Sequence, residues 1–572
     1  MYSLTEHRSK TTSWLNDVVV CFIFMASIAS FIYGWQGMHS VFNGRDLPVI
    51  SLDYHVLPYY TLRTTMRLVI GLFYSMLFSI VFAVLAAKYA PMRRVILPFV
   101  NFMESVPLVG FLTFTTAFFL GLYPHSVMGL EGLAIFAVFT AQAWNMMLTL
   151  YQTLRVVPNE LAEAADAFRY NPWQKFWRLG FIYSFPGLLW NTMVSQSAAW
   201  FALIASEMLT VGNGSTNLPG VGSYIGIALQ DGSVPGVIRG VLALIVNIVI
   251  FDQLLFRPLV RYAHQFKYED VSDRKVPSSW FYHCLSHSMI GHGLEHVCKQ
   301  FSRFWLFVLT KIWYVLRLHR VFAVLGQMNW LWSSLWYLAI VVGCIYYGHQ
   351  LWLFIPKEYL TSLPGWMGLT AGRVIAAMVL SVIIFTPLGV WIGLRPGLVR
   401  FFQPIIQVFA AVPANVFYPL IAFMIVAWHQ NLGSWTIPMI MLGTQWYVLF
   451  NVIAGTSMIP SQMVEASKIF HLRGWLWWTK FTLPAVFPYI VTGVISAAGG
   501  AWNTAIAAEV LNWGKITLQT YGLGAFISIA SDAGQNPQEA LGCLAMCLMV
   551  LLCIIFVWQP LYRYAENRFK FD

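Results

Sequence analysis

Glu163 and Glu465 stand 302 residues apart. The same spacing joins Trp144 to Trp446, Pro158 to Pro460, Trp173 to Trp475, Pro186 to Pro488, Trp200 to Trp502, Glu207 to Glu509, Gly222 to Gly524 and Pro258 to Pro560. Upstream the spacing becomes 306, pairing Arg67 with Arg373, Pro98 with Pro404 and Pro107 with Pro413. Self-similarity of this kind means a chain built twice from one unit, and every reading of the fold must give both units the same path.

The solvent of that fold follows from composition. Of the 572 residues 58% are hydrophobic and 10% charged, against about 25% charged in a soluble domain. Apolar runs of about 20 residues recur, the length needed to cross a hydrocarbon core as helix. They are unbroken rather than alternating, which excludes a transmembrane β-barrel. Twelve spans are predicted, starting near Val18, Met66, Ser105, Leu133, Ile182 and Val237, then near Trp332, Val374, Ile405, Trp435, Pro484 and Ala540. Ser27-Ile28-Ala29 weakly resembles a signal-peptidase site, but apolar sequence continues to Trp35, so a retained first helix is expected. The fold class is therefore all-α and polytopic, with two six-helix repeats at 1–266 and 332–572. An even number of spans per repeat makes them parallel, related by an axis along the membrane normal.

Lys and Arg set the orientation. The connections "KYAPMRR" (Lys88–Arg94) and "LRPGLVR" (Leu394–Arg400) are basic, as is the tail "RYAENRFKFD", whereas "GNGSTNLPGVGS" (Gly212–Ser223) has neither residue. The positive-inside rule places the basic connections and both termini in the cytoplasm. The net charge of +11 is then topology and anionic-lipid contact, with no nucleic-acid partner. None of the seven cysteines pairs in an outer loop, so no disulfide framework is expected. Residues 267–331 form a basic-aromatic linker of interfacial type, with Lys311, Arg317 and Arg320 among Trp, Phe and Leu. His283 and His287 have the helical spacing of metal ligands, but a tether is the better reading and no metal is assigned.

Two short amphipathic cassettes interrupt the apolar runs. The first, about 158–172, begins with Pro158, carries Glu160 and Glu163 near its start, and lines Leu161, Ala164, Ala165 and Phe168 along one stripe. The second, about 460–474, repeats this with Pro460, Met463, Glu465, Ala466 and Phe470, and each is followed by a Trp (Trp173, Trp475). Neither is long enough to span. Both lie on the cytoplasmic side, between the fourth and fifth spans of their halves, where a short amphipathic helix can dock in a protein groove.

"LAEAADAF…W" and "MVEASKIF…W…TLP" resemble the coupling loop of binding-protein-dependent ABC importer permeases. "AAWFALIASEML" and "GAWNTAIAAEVL", each followed by a Gly-x-Gly, resemble the next span in the nitrate/taurine/alkanesulfonate permeases. The loop's usual glycine is replaced by Arg169 and His471. The resemblance implies a type I importer permease with two permease domains fused in one chain, in the bacterial inner membrane. It implies two cytoplasmic ATPase subunits that carry ATP and Mg and dock on the loops. It also implies a periplasmic or lipid-anchored binding protein that delivers a small anion such as nitrate, a sulfonate or bicarbonate. The chain has no GxxxxGK[ST] loop, since "NWGKIT" lacks both the earlier Gly and the following Ser/Thr, so it is expected to be a transport subunit without cofactor or catalytic residues.

The passage is expected near the fifth and eleventh spans. Ser195, Gln196 and Ser197 correspond to Ala497, Ala498 and Gly499, which predicts a polar first half facing an apolar second half. Close helix packing by small residues is the competing reading. Trp200, Trp502, Asn503, Glu207 and Glu509 complete the candidate lining; the two glutamates serve equally well as structural groups at the outer mouth. The main rival is a twelve-helix secondary transporter driven by ion flux through Glu207 and Glu509.

Overall fold

The computed structural model of the chain describes residues 14–38, 50–123, 126–208, 218–266, 279–293, 355–457, 461–513 and 516–569, with scattered positions between 210 and 215, between 295 and 353, and at 459. The span expected near Trp332, the basic part of the linker and Pro460 lie outside the described residues.

The first half runs through α1 (Trp14–Met38), α2 (Leu57–Lys88), α3 (Ala90–Ser105), α4 (Leu108–Leu122), α5 (Met128–Arg155), α6 (Asn159–Ala167), α7 (Pro172–Lys175), α8 (Phe181–Glu207), α9 (Val221–Gln230), α10 (Val234–Phe251) and α11 (Arg257–Ala263); α12 (Trp280–Ser286) belongs to the linker. The second half runs through α13 (Lys357–Gly393), α14 (Pro396–Ala411), α15 (Tyr418–Ala427), α16 (Leu432–Ser457), α17 (Ser461–Ile469), α18 (Gly474–Trp477), α19 (Leu483–Glu509), α20 (Leu523–Asp532), α21 (Asn536–Cys553) and α22 (Gln559–Phe569). Two antiparallel hairpins, Thr210–Val211 with Gly214–Ser215 and Val510–Trp513 with Ile516–Gln519, follow α8 and α19.

Among the described residues eight helices are long and apolar enough to cross a membrane: 14–38, 54–88, 128–155, 234–266, 357–393, 432–457, 474–509 and 536–565. α8 adds a 27-residue helix in the place of the fifth predicted span. The run predicted as a single span from near Ile405 is instead broken at Val412-Pro413, and the span predicted from near Ser105 begins at the corresponding break, Val106-Pro107, with α3 packed ahead of it. The cause is local. Proline lacks the N–H that would continue the helix and pushes the residue before it into extended backbone, and Val106 is extended (ψ 128).

The duplication extends to irregularities. π-helical turns occur at Phe176–Gly180 and Trp478–Thr482, and again at Asp252–Phe256 and Ile554–Trp558, each pair related by the 302-residue spacing. In each half the central layer is the packing of α2, α5 and α8, or of α13, α16 and α19, with the first two helices parallel and the third antiparallel to them. The halves interlock: α14 packs on α8 and α10, while α3 and α4 pack on α20 and α21.

Candidate functional site

The two cassettes fold as short helices closed in the same way. α6 ends with the Tyr170 N–H donating to the Ala165 carbonyl (3.1 Å) and Arg169 N–H to Asp166 (2.9 Å); α17 ends with Leu472 N–H on Ser467 and His471 N–H on Lys468, both 3.0 Å. This six-to-one, five-to-two pair of bonds requires a left-handed residue at the closing position, usually glycine. Arg169 (φ 54) and His471 (φ 50) adopt it nonetheless, at a cost of about 1 kcal/mol each for their Cβ atoms. The replaced glycine therefore leaves the turn intact. Pro158 is the N-cap of α6, one residue ahead of the first helical position predicted for it, with its φ of −56 preset for the start.

Glu163, Ala164 and Glu465 are exposed on these helices, Ala165 is buried, and Ala466 and Trp173 are half-buried. Phe168 (68% exposed), Phe470 (76%) and Trp475 (78%) project outward. Around this shared plan the loops differ. The first is tied by an Asp166–Lys175 ion pair (2.8 Å) and by Arg178 over the Tyr170 ring. The second has Lys468 and Trp477 at the positions of that ion pair and exposes Ile469 and Leu476 beside Phe470 and Trp475.

Between the halves, helical phase decides which side chains are available. Trp190 stacks on Phe450 (centroids 4.8 Å) and the Val194 carbonyl accepts from the Tyr447 hydroxyl (3.3 Å), so this face of α8 looks at the second half. On α19 the Asn503 Oδ1 accepts from the Leu108 N–H (2.9 Å), so its corresponding face looks at the first half. The exposed or half-exposed positions on these faces are Trp190, Val194, Ser197 and Phe201 in the first half, and Thr492, Ser496, Gly499 and Asn503 in the second. Polarity is thus distributed opposite to the expectation. Ser195 and Gln196 are buried, with only Ser197 half-exposed, and Ala497 and Ala498 are buried too. Consecutive residues lie 100° apart on a helix, so a run of three cannot share one face. Trp200 and Trp502 are also buried; Trp200 packs edge-on against Phe251.

Glu207 and Glu509 are fully buried and anchor the C-terminal ends of α8 and α19. Glu207 accepts from Arg67 (2.6 Å), Thr64 (2.8 Å) and the Gly222 N–H (2.7 Å). Glu509 accepts from Arg373 and Thr370 (both 2.8 Å) and the Ala525 N–H (3.0 Å). Each carboxylate thus clamps the start of the next short helix to α2 or α13. A Cβ on Gly220 or Gly522 would run into these carboxylates, which accounts for the first glycine of each Gly-x-Gly. In the first half Arg67 also bonds Glu131 (2.6 Å), which pairs with Arg63. The second half has Leu369 and Gly433 at the positions of Arg63 and Glu131, so charge is balanced within each cluster. Arg63 and Glu131 are legible in the sequence only as charges lacking a partner in the other repeat. In the linker the His283 and His287 rings stack (centroids 4.2 Å), and among the described residues no three His, Cys, Asp or Glu groups come close enough to hold a metal.

Two parallel helical repeats in a membrane-spanning chain, each with a short amphipathic loop at one end and a carboxylate clamp near the other, define a duplicated permease. The family described as binding-protein-dependent transport system inner membrane component matches this chain twice, at residues 75–257 and 385–571, and the chain belongs to that family. It is 31% identical over 156 residues to the bicarbonate transport system permease protein CmpB of Synechocystis sp., covering 27% of this chain and 52% of that protein. It is 28% identical over 180 residues to the nitrate import permease protein NrtB of Leptolyngbya laminosa (32% and 61%). It is also 27% identical over 170 residues to the taurine transport system permease protein TauC of Escherichia coli (29% and 58%). Each match spans between about half and three fifths of the relative's own length.

Proposed function

We propose that this chain is the whole transmembrane pathway of an ATP-driven importer, with both permease domains fused and hydrolysis supplied by two separate cytoplasmic ATPase subunits. The observation that carries the reading is the pair of identically closed loops related by 302 residues, each presenting a glutamate and an exposed aromatic. Lipid contact alone does not call for the same turn, glutamate and tryptophan in both halves. On this reading Glu163 and Phe168, and Glu465, Phe470 and Trp475, enter grooves of the ATPases. Closure of the ATPase pair then rocks one half against the other, and a periplasmic or lipid-anchored binding protein delivers the solute.

The cargo is a small polar solute of the kind named for the relatives: bicarbonate, nitrate or taurine. Thr492, Ser496 and Asn503 supply hydroxyl and amide contacts to it, with Ser197 as the first half's contribution. Arg63, Arg67 and Arg373 are held by glutamates, so recognition runs through hydrogen bonds rather than a free cation. The same ion pairs weigh against an ion-coupled transporter working through Glu207 and Glu509, whose carboxylates are already engaged on every side. Proteoliposomes holding the chain and its ATPase test this reading. Uptake should require ATP inside and survive an uncoupler, whereas uptake driven by a proton gradient without the ATPase would overturn it.

A further inference from the structure

The core of the first half contains two glutamines that the second half lacks. Gln142 on α5 is 0% exposed and Gln196 on α8 is 2% exposed, and among the described residues neither amide nitrogen nor amide oxygen has a hydrogen-bond partner. A buried amide without a partner costs about 1–3 kcal/mol, so two in one half require an explanation.

They lie at one level of the helix layer. The Arg67–Glu207 ion pair fixes the level of antiparallel α2 and α8. Gln196 lies eleven residues before Glu207, three turns down on the same face, which brings it to the level of Phe78 and Ser79 of α2. Gln142 precedes Ala143, whose carbonyl lies 3.3 Å from the Ser79 hydroxyl oxygen, and follows Phe139, whose carbonyl lies 3.4 Å from that of Ser75. Both serine hydroxyls are buried and already donate to carbonyls of their own helix, at 2.8 and 2.7 Å. The two amides therefore lie at one level of the α2, α5 and α8 layer, both three turns below the Arg67 ion pairs. The second half has Thr444 and Ala498 here; the Thr444 hydroxyl bonds Ser381 (2.9 Å), so neither counterpart carries an unpartnered amide, and the buried Thr386 hydroxyl on α13 is the nearby polar group without a partner among the described residues.

We propose that Gln142 and Gln196 form a shared internal polar site that binds water at the centre of the first half. Two amides offer two carbonyl acceptors and four N–H donors, enough for the roughly three hydrogen bonds a buried water makes.

The test is a double-mutant cycle on the full chain in nanodiscs, copying the second half's residues. Gln142→Thr and Gln196→Ala should each lower the melting midpoint by at least about 2 °C, because each leaves the other amide orphaned. The double variant should recover most of the loss. Radiolytic hydroxyl labelling reads the water itself: Met146, fully buried one turn beyond Gln142, should be labelled in the parent and at least several-fold less in the double variant. Singles that fail to fold beside a double that folds also support the site. Additive losses, singles that melt like the parent, a double that fails to fold, or an unlabelled Met146 in the parent would each overturn it.

Discussion

Arg169 and His471 hold left-handed backbone that a glycine would hold without strain. Arg169→Gly and His471→Gly should therefore tighten the loop closures by about 1 kcal/mol each. In hydrogen–deuterium exchange the Tyr170 and Leu472 amides should slow about five-fold; faster exchange would mean that the side chains, not the turn, hold the loops closed. The buried charges make a second residue-scale case. Arg63→Leu leaves Arg67 facing both Glu131 and Glu207, an excess negative charge in the core, and should destabilise the chain by about 3–5 kcal/mol. Adding Glu131→Leu restores balance in the manner of the second half, and should recover most of the melting midpoint. No recovery would show that Glu131 has a further role.

At the scale of elements, the proposed function makes the faces of α8 and α19 the ones that meet a solute. In a cysteine-free background, Cys at Thr492, Ser496 or Asn503 should react with a hydrophilic thiol reagent, while Cys at Ala498 should not, as α19 turns that side inward. Equal reaction at all four positions would remove the face assignment. Much at this scale is legible in the sequence. The cassettes stand out because acids and a proline are costly among apolar spans, and the repeat marks both copies. The polar strip is hidden when Ser195, Gln196 and Ser197 are taken as a block, because a helix spreads three consecutive residues over most of its circumference. Positions 492, 496, 499 and 503, taken at helical spacing, reveal it. The breaks at Pro107 and Pro413 are visible as prolines, but the hydropathy of the runs around them masks the turn. The partners of Glu207 are out of reach for another reason: Arg67 is 140 residues away, and only the fold brings them together.

On the scale of the whole molecule, the duplication is a common frame carrying unequal contents. The ladders of helices, the π turns, the loop closures and the carboxylate clamps repeat. The loop surfaces, the facing sides of α8 and α19 and the buried Arg63–Glu131 pair do not. Fusion of the two domains in one chain allows this divergence, since each copy always meets the same partner. The proposed function stands or falls on the paired loops as the place where separate ATPase subunits attach, and copurification tests that attachment most directly. A tagged parent chain should bring down two ATPase subunits per chain. Glu163→Lys with Glu465→Lys reverses the charge at both helix starts, where negative charge is favoured, and should bring down none while reaching the membrane in equal amount. Full ATPase recovery by the double variant, or a parent chain that carries none, would contradict the account.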